Sequence, residues 1–223
     1  MSSPGLRERK KALTRQLIAD TAARLFAARG YENVAVGDVA READVAEQTV
    51  YNYFPTKEQL VTDREQEIQE KLCLLIRSRP RGSTPAAAIR EFALQVVAGI
   101  RDIPSELWRG EIGYLAAISP TVHRLVLEVI DRQARALAAV ISDTTAVSPE
   151  IARLHGIALA GVFEIIISEA GRRTREGQSQ TKIARELSRT IANVLDELDR
   201  WFSKSKAARR VKADRHPRRA PIE

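Results

Sequence analysis

The chain has 223 residues but a single cysteine, Cys73, and three histidines. One cysteine excludes a disulfide framework within the chain, and a lone cysteine with three scattered histidines does not supply the ligand spacing of a zinc site. Glycine and proline are sparse, with 11 and 9 residues, and no long segment alternates apolar β-branched residues with polar ones. These absences favour an all-α fold and predict neither a metal nor a cofactor.

Long apolar runs and known catalytic signatures are also missing. No window approaches the roughly 18 uninterrupted apolar residues of a membrane span, and residues 1–12 are charged, with no signal-peptide segment behind them. The sequence has no nucleophile elbow, no phosphate-binding glycine loop and no HExxH motif. We therefore expect a cytoplasmic protein that does not enter a membrane and is not an enzyme.

The positive charge lies mainly at the C-terminal end. The formal net charge is +7, and residues 204–223 contain eight lysines and arginines against two acidic residues. This tail accounts for +6, so the rest of the chain carries +1, with a smaller basic cluster at residues 7–11. Because phosphate attraction is screened beyond about 8–10 Å, two basic ends favour nucleic-acid contact more than the overall charge does. The tail either strengthens nonspecific DNA binding or is simply solvated.

Periodicity of apolar residues and helix-capping signals predict nine helices with short connections. Gly30 is placed to end the first helix, and a Thr-Lys-Glu-Gln capping box predicts that the fourth begins at Lys57. A break at residues 79–83 separates four helices from five. Later helices are expected to begin where proline follows a capping hydroxyl, at Thr84-Pro85, Ser119-Pro120 and Ser148-Pro149.

Residues 36–60 carry the pattern of a helix-turn-helix. The first helix has an apolar stripe at i, i+3, i+4 and i+7, formed by Val36, Val39, Ala40 and Ala43. After a break at Asp44-Val45, Val50 and Phe54 lie four residues apart and can pack on that stripe. The opposite face presents amide, hydroxyl and phenol groups, which can donate and accept hydrogen bonds as base edges require. The pattern therefore predicts that the second helix reads DNA.

A wider set of segments carries a family resemblance. The segments are Ala22-Ala23-Arg24-Leu25-Phe26, Gly30-Tyr31, Asp38-Val39-Ala40, Ala43-Asp44-Val45 and Thr49-Val50-Tyr51-Asn52-Tyr53-Phe54-Pro55-Thr56-Lys57-Glu58. In this order and spacing, residues 13–61 resemble the N-terminal DNA-binding domain of the TetR family of bacterial transcriptional repressors. The resemblance implies a homodimer that binds a palindromic operator in double-stranded DNA and is released by a small apolar or amphipathic effector.

The resemblance also implies the division of the chain and the roles of its residues. The expected segments are a disordered basic arm at 1–9, a DNA-binding domain at 10–56, a connecting helix at 57–78, a ligand-binding and dimerisation domain at 79–203, and a disordered basic tail at 204–223. The residues expected to contact DNA are Gln48, Thr49, Tyr51, Asn52, Tyr53 and Lys57. For Lys57, a phosphate contact competes with the interpretation of a solvated lysine.

Two positions depart from the family's pattern. Ala35 stands where members usually have Thr or Ser ahead of the first helix of the motif, and Ala46-Glu47 replaces a common Ser-Lys or Ser-Arg. Glu47 would repel phosphate or accept from a cytosine amino group. The base preference of relatives therefore does not transfer to this chain.

The C-terminal helices supply the candidates for effector and dimer contacts. The expected effector-binding residues are Phe92, Trp108, Tyr114, His123 and Phe163, each of which competes with a role as core filler. Arg109 and Glu111 are interpreted as part of a solvated face. The expected dimer-interface residues on the last two helices are Leu154, Ala158, Gly161, Val162, Ile165, Leu187, Ile191, Val194, Leu195 and Leu198. The alternative is that these stripes belong to the core of one subunit.

Two other function classes stay open. The first is a DNA-binding protein of the same fold without a small-molecule effector, which acts constitutively or answers to a protein partner. The second is a helical module that uses the basic tail on membranes or RNA. Repression and activation are not distinguished by the sequence.

Overall fold

The computed structural model describes residues 5–214, and all regular structure in that range is helical. The ten α-helices are α1 (Leu6–Arg29), α2 (Val36–Glu42), α3 (Glu47–Tyr53), α4 (Glu65–Arg77), α5 (Pro85–Gly99), α6 (Ser105–Trp108), α7 (Ile112–Ile118), α8 (Pro120–Thr144), α9 (Pro149–Arg175) and α10 (Gln180–Asp214). Single 3-10 turns lie at Glu58–Leu60 and Ile100–Asp102. The prediction of an all-α fold is confirmed.

The tenth helix arises where the sequence predicted one helix between Ser105 and Ile118. The structure divides this segment into α6 and α7, with a bend at residues 109–111. Gly110 is buried in the bend and lies directly against the backbone of Ala23 in α1. The close approach to α1 is a tertiary feature, so helical periodicity within the segment could not reveal the bend.

The capping signals placed most helix ends correctly. Gly30 ends α1 in a positive-φ conformation, with φ at 79°. The hydroxyls of Thr84, Ser119 and Ser148 each accept a backbone N–H from the first turn of the helix they precede. In each of these three helices proline occupies the first turn, where its missing N–H costs no hydrogen bond.

Three predicted boundaries are wrong. The basic arm is not disordered from residue 6 onward, because α1 begins at Leu6 and the Glu8 carboxylate accepts from the Gly5 N–H. The connecting helix begins at Glu65 rather than Lys57, since a 3-10 turn and an irregular segment come first. Finally, α10 continues through Asp214, so the tail is helical there. Residues 1–4 and 215–223 lie outside the described part of the chain.

Two apolar cores organise the fold. The larger one joins α4, α5, α8, α9 and α10. The smaller one joins α1, α2 and α3 and also contains Leu115 of α7 and Val122 of α8, both fully buried. The first three helices therefore share a core with α7 and the first turn of α8. Ser119, at the start of α8, donates a hydrogen bond to the Glu32 carboxylate in the loop after α1.

The most apolar helix is α9. Among the described residues it alone is long and apolar enough to cross a membrane, with a mean hydropathy of 1.6 over its most apolar window. Of that window 44% is buried inside the fold, where Leu159, Val162 and Phe163 contribute to the larger core. Glu164 and Glu169 interrupt the apolar sequence of α9, so the expectation that no 18 apolar residues follow one another without interruption stands, and composition of this kind also describes a core helix.

Candidate DNA-binding site and adjoining cavity

The two helices of the motif pack as the sequence predicted. Val50 of α3 and Phe54, the residue directly after α3, are 0% and 1% exposed. The turn between α2 and α3 passes through Asp44 at a φ of 53°, a left-handed conformation that Asp tolerates better than most residues. The Val45 N–H then donates to the Ala40 carbonyl at 3.0 Å. Burial of one side of α3 leaves its opposite side free for contact with DNA.

The exposed side of α3 carries the predicted reading groups. Gln48 and Asn52 are exposed, and the Gln48 amide donates to the Asn52 oxygen at 3.3 Å. Tyr51 is also exposed. Thr49 and Tyr53 are half-buried, and Tyr53 packs against the smaller core. The structure therefore places Gln48, Tyr51 and Asn52 at the surface, while Tyr53 also supports the position of the helix.

Lys57 has partners within the protein. Its ammonium donates to the Tyr31 carbonyl at 2.7 Å and lies 4.2 Å from the centre of the Tyr31 ring. Partial burial lowers the pKa of Lys57, although Glu32 and Glu58 oppose that effect. Lys57 therefore joins the end of the motif to the loop after α1. An ammonium has three donors, so one of them can still reach a phosphate.

The first turn of α2 already holds acidic groups where a phosphate contact would form. The Ala35 side chain caps nothing, and its N–H instead donates to the Asp38 carboxylate at 3.0 Å. This hydrogen bond is the largest cause of the lowered pKa of Asp38. A Cβ placed on Gly37 would lie 3.2 Å from the Glu47 carboxylate, so Glu47 also approaches this turn. Ala35 and Glu47, at which the sequence departs from the family's pattern, therefore both lie at the first turn of α2.

Arg15 of α1 joins α3 to the segment that precedes α4. Its guanidinium lies 4.6 Å from the centre of the Phe54 ring and donates to the Asp63 carboxylate at 2.9 Å. Burial raises the pKa of Asp63, and the neighbouring Arg15 opposes that rise. The end of the recognition helix is thereby connected to the wall of a cavity, because Asp63 lines it.

A cavity of about 610 Å³ lies between α4, α5, α7 and α9. Its apolar wall includes Phe92, Trp108 and Phe163, and the rings of Phe92 and Phe163 are 6.2 Å apart. These are three of the five residues predicted to bind an effector. Tyr114 and His123 are not among the lining residues, and His123 is exposed on α8. His123 and Tyr114 are therefore not part of the cavity wall, unlike the other three predicted residues.

Part of the cavity lining, called here the acidic end, contains three carboxylates. Asp63, Glu65 and Glu111 lie there, and burial raises the pKa of Glu65 to about 7 and that of Glu111 above its usual value. Glu111 is thus not part of a solvated face as the sequence suggested, whereas its neighbour Arg109 is exposed. The sequence could not indicate this burial, because Glu111 becomes partly buried only through the bend between α6 and α7.

Comparison with known proteins agrees with this architecture. Residues 18–63 match the family described as bacterial regulatory proteins, tetR family. The chain is 26% identical over 153 residues to the HTH-type transcriptional regulator TcmR of Streptomyces glaucescens, which covers 69% of this chain and 63% of TcmR. It is 31% identical over 77 residues to an uncharacterized HTH-type transcriptional regulator, YuxN of Bacillus subtilis, covering 34% of this chain and 26% of YuxN. Residues 18–63 therefore carry the DNA-binding domain of the TetR family.

The family's fold extends beyond the DNA-binding domain. NalD of Pseudomonas aeruginosa, the secondary repressor of the MexAB-OprM multidrug efflux pump, is 16% identical and superposes with a TM-score of 0.53. That alignment covers 82% of this chain and 97% of NalD. The chain thus spans less than two thirds of the length of the curated relatives named above. The structural alignment spans nearly all of NalD, and at this identity it shows a shared fold.

The residues that the TetR resemblance assigned to a dimer interface fall into two groups. Val162, Leu187, Ile191 and Leu195 are buried in this chain's own core, so they are core residues rather than surface contacts. Partly or largely exposed are Leu154, Ala158, Gly161, Ile165, Val194 and Leu198. Ile157, which the sequence did not single out, is 51% exposed on the same helix as Leu154, which is 46% exposed.

Proposed function

We propose that this TetR-family protein is a cytoplasmic homodimeric repressor of transcription, which binds a near-palindromic operator and leaves it when a small molecule occupies the cavity. One observation carries this proposal: the wall of the 610 Å³ cavity is built in part from residues that touch the DNA-binding helices. The cavity and α3 are therefore connected through direct packing contacts.

Three contacts connect the cavity to the DNA-binding domain. Asp63 lines the cavity and pairs with Arg15, which packs on Phe54 at the end of α3. Gly110 lies between two cavity-lining residues and touches the backbone of α1. Leu115, one turn after Glu111, is buried in the core of the DNA-binding domain. A ligand that favours one arrangement of this junction over another changes the affinity for DNA by the same differential free energy.

The dimer is proposed to form through the exposed face of α9 and α10. Leu154, Ile157 and Gly161 follow the i, i+3, i+7 spacing of one helix face. A Cβ placed on Gly161 would meet no other atom within 4 Å, so packing within this chain does not require a glycine there. A glycine on an exposed apolar face suits close approach by a second helix. Two copies would place two α3 helices in successive major grooves, about 34–36 Å apart.

The first experiment is selection of binding sites from random DNA with the purified full-length protein. We expect an inverted repeat to be enriched and to bind with high affinity in fluorescence anisotropy. Asn52→Ala should weaken operator binding by roughly 5- to 150-fold and relax the preference at one position, because a bidentate base contact is worth about 1–3 kcal/mol. Asn193→Ala, an exposed amide on α10, is the matched control and should bind normally. Failure to enrich any sequence contradicts the proposal.

The basic tail is proposed to add nonspecific attraction. Deletion of residues 204–223 removes eight basic residues. Binding to operator and to unrelated duplex should then weaken by the same factor, and the dependence of affinity on salt should flatten. Sequence-specific binding that survives the deletion argues against a module that uses only its tail on RNA or membranes.

A further inference from the structure

The acidic end of the cavity contains carboxylates that the protein leaves without partners. Asp63 is paired with Arg15, whereas the carboxylates of Glu65 and Glu111 have no hydrogen bond and no ion pair within 4.0 Å among the described residues; Arg132 and Arg64 act on Glu65, and Arg64 on Glu111, only from a longer distance. Burial raises the pKa of both groups, which means that their charged forms are poorly stabilised in the empty cavity. A cation placed there would supply the missing stabilisation.

A second polar group in the cavity wall also lacks a partner. Gln133 of α8 is 1% exposed, and its Oε1 atom has no hydrogen-bond donor in the described part of the chain. A buried amide oxygen without a donor costs free energy that a ligand N–H can recover. Gln133 and Glu65 line the main cavity and also a second cavity of about 600 Å³, so the two groups share one region of the wall.

The remaining walls restrict the body of the ligand. Phe92, Trp108 and Phe163 offer aromatic surface, and Ile100 and Ile166 extend the apolar lining. Aromatic faces bind planar apolar groups and also attract cations. The basic residues in the lining, Arg64 and Lys71, are both exposed, whereas Glu65 and Glu111 are partly buried, so the basic groups are the more solvated of the two sets.

We infer that the effector is a lipophilic cation, whose aromatic or branched apolar body lies between Phe92, Trp108 and Phe163 and whose protonated nitrogen meets Glu65, Glu111 and the Gln133 oxygen. This inference rests on the proposed function, because it names the ligand of the proposed sensor cavity. An anionic ligand would meet two unpaired carboxylates, and a neutral one would leave them uncompensated.

The test uses three probes of one shape: naphthylmethylamine as the cation, naphthylmethanol as the neutral form and naphthoate as the anion. Isothermal titration with the full-length protein should show the amine binding at least about tenfold more tightly than the alcohol, since charge-assisted hydrogen bonds are stronger than neutral ones. Naphthoate should bind most weakly. Glu65→Gln with Glu111→Gln should remove the amine's advantage while alcohol binding persists. Glu70→Gln, an exposed acid on α4 outside the cavity lining, should change neither.

Proton exchange gives an independent readout. Near pH 7 a bound cation should expel a proton from Glu65, so the measured heat should depend on the ionisation enthalpy of the buffer for the amine but not for the alcohol. The charged groups acting on Glu65 are Arg132 of α8, Asp63 and Arg64, and those acting on Glu111 are Arg64, Asp63 and Asp20 of α1. Alcohol and amine binding equally overturns the cation inference and leaves the sensor proposal standing. If none of the three probes binds, the inference is overturned as well, while operator selection still tests the regulator.

Discussion

Gly110 is the residue whose substitution most directly tests the connection between the cavity and the DNA-binding domain. A Cβ at this position would lie 2.0 Å from the carbonyl oxygen of Ala23 in α1, 2.5 Å from its carbonyl carbon and 2.7 Å from its Cα. All three atoms belong to the backbone, so no side-chain rotation relieves the clash. In Gly110→Ala the bend between α6 and α7 must withdraw from α1 until the closest contact reaches at least 3.0 Å.

The expected cost is about 1–3 kcal/mol of unfolding free energy, the range for an added methyl group that forces a backbone shift. The withdrawal also moves Trp108 and Glu111, which flank the bend and line the cavity. We therefore expect Gly110→Ala to bind operator DNA with a changed affinity and to respond weakly to any ligand that releases the parent protein. Urea denaturation measures the first effect, and fluorescence anisotropy with and without ligand measures the second.

Gly99→Ala provides the matched control for stability; because Gly99 also lines the cavity, the ligand response of Gly110→Ala is compared with that of the parent protein. A Cβ on Gly99 would meet no atom within 4 Å, and the residue has helical φ and ψ at the end of α5. This substitution should leave stability unchanged or raise it by up to about 1 kcal/mol, because alanine favours helix more than glycine does. If Gly110→Ala matches this control in stability and the parent protein in ligand response, the proposed contact between α1 and the cavity wall does not carry the coupling.

Three further predictions concern the acidic end, the dimer face and the motif. Glu65 has its pKa raised to about 7 in the folded protein, so its contribution to stability is present at acidic pH and is lost as pH rises through 7. Glu65→Gln should therefore raise the unfolding free energy at pH 8 by up to about 3 kcal/mol, and by less after solvent screening. At a pH below the ordinary pKa of glutamate the substitution should have no such effect. Equal gains in unfolding free energy at both pH values would contradict the raised pKa of Glu65. The double variant Leu154→Glu, Ile157→Glu should be a monomer by light scattering, with unchanged helical content and much weaker operator binding. The control Leu74→Glu changes an exposed leucine on α4 and should stay dimeric. Lys57→Met removes the hydrogen bond to the Tyr31 carbonyl and should lower the melting temperature. If the Lys57 ammonium also contacts a DNA phosphate, the same substitution should reduce the salt dependence of DNA binding by about one charge.

The helix-turn-helix was predictable because its determinants are local. The stripe from Val36 to Ala43 and the pair Val50 and Phe54 specify how two short helices pack, and all six side chains are buried as expected. Helix boundaries were also predictable, because Gly30 ends α1 and the Ser-Pro and Thr-Pro pairs begin later helices through backbone chemistry that involves only a few neighbouring residues. The exposed face of α3 followed from the same periodicity, because residues opposite a buried face remain at the surface.

The cavity was only partly predictable because its walls come from distant segments. Aromatic residues in the right helices pointed to Phe92, Trp108 and Phe163, but the polar end depends on burial that the sequence does not encode locally. Glu65 and Glu111 are ordinary acidic residues in the chain and become unusual only when α4 and the bend after α6 meet. The start of α4 was misplaced for a related reason, since Thr56 to Gln59 form a capping pattern that the structure uses only for a single 3-10 turn.

The three contacts at the junction differ in how firmly they can transmit a change in the cavity. Arg15 and Asp63 are partly exposed, and ion pairs of that kind contribute only about 0–1 kcal/mol, so this pair can part without unfolding its surroundings. Gly110 meets rigid backbone, and Leu115 is fully buried in the smaller core. Packed interiors do not compress, so a shift of the bend must be passed on to α1. Arg15→Met should consequently alter operator affinity modestly and preserve the ligand response, whereas Gly110→Ala should reduce that response. A ligand response that is lost in Arg15→Met but intact in Gly110→Ala would assign the coupling to the ion pair instead.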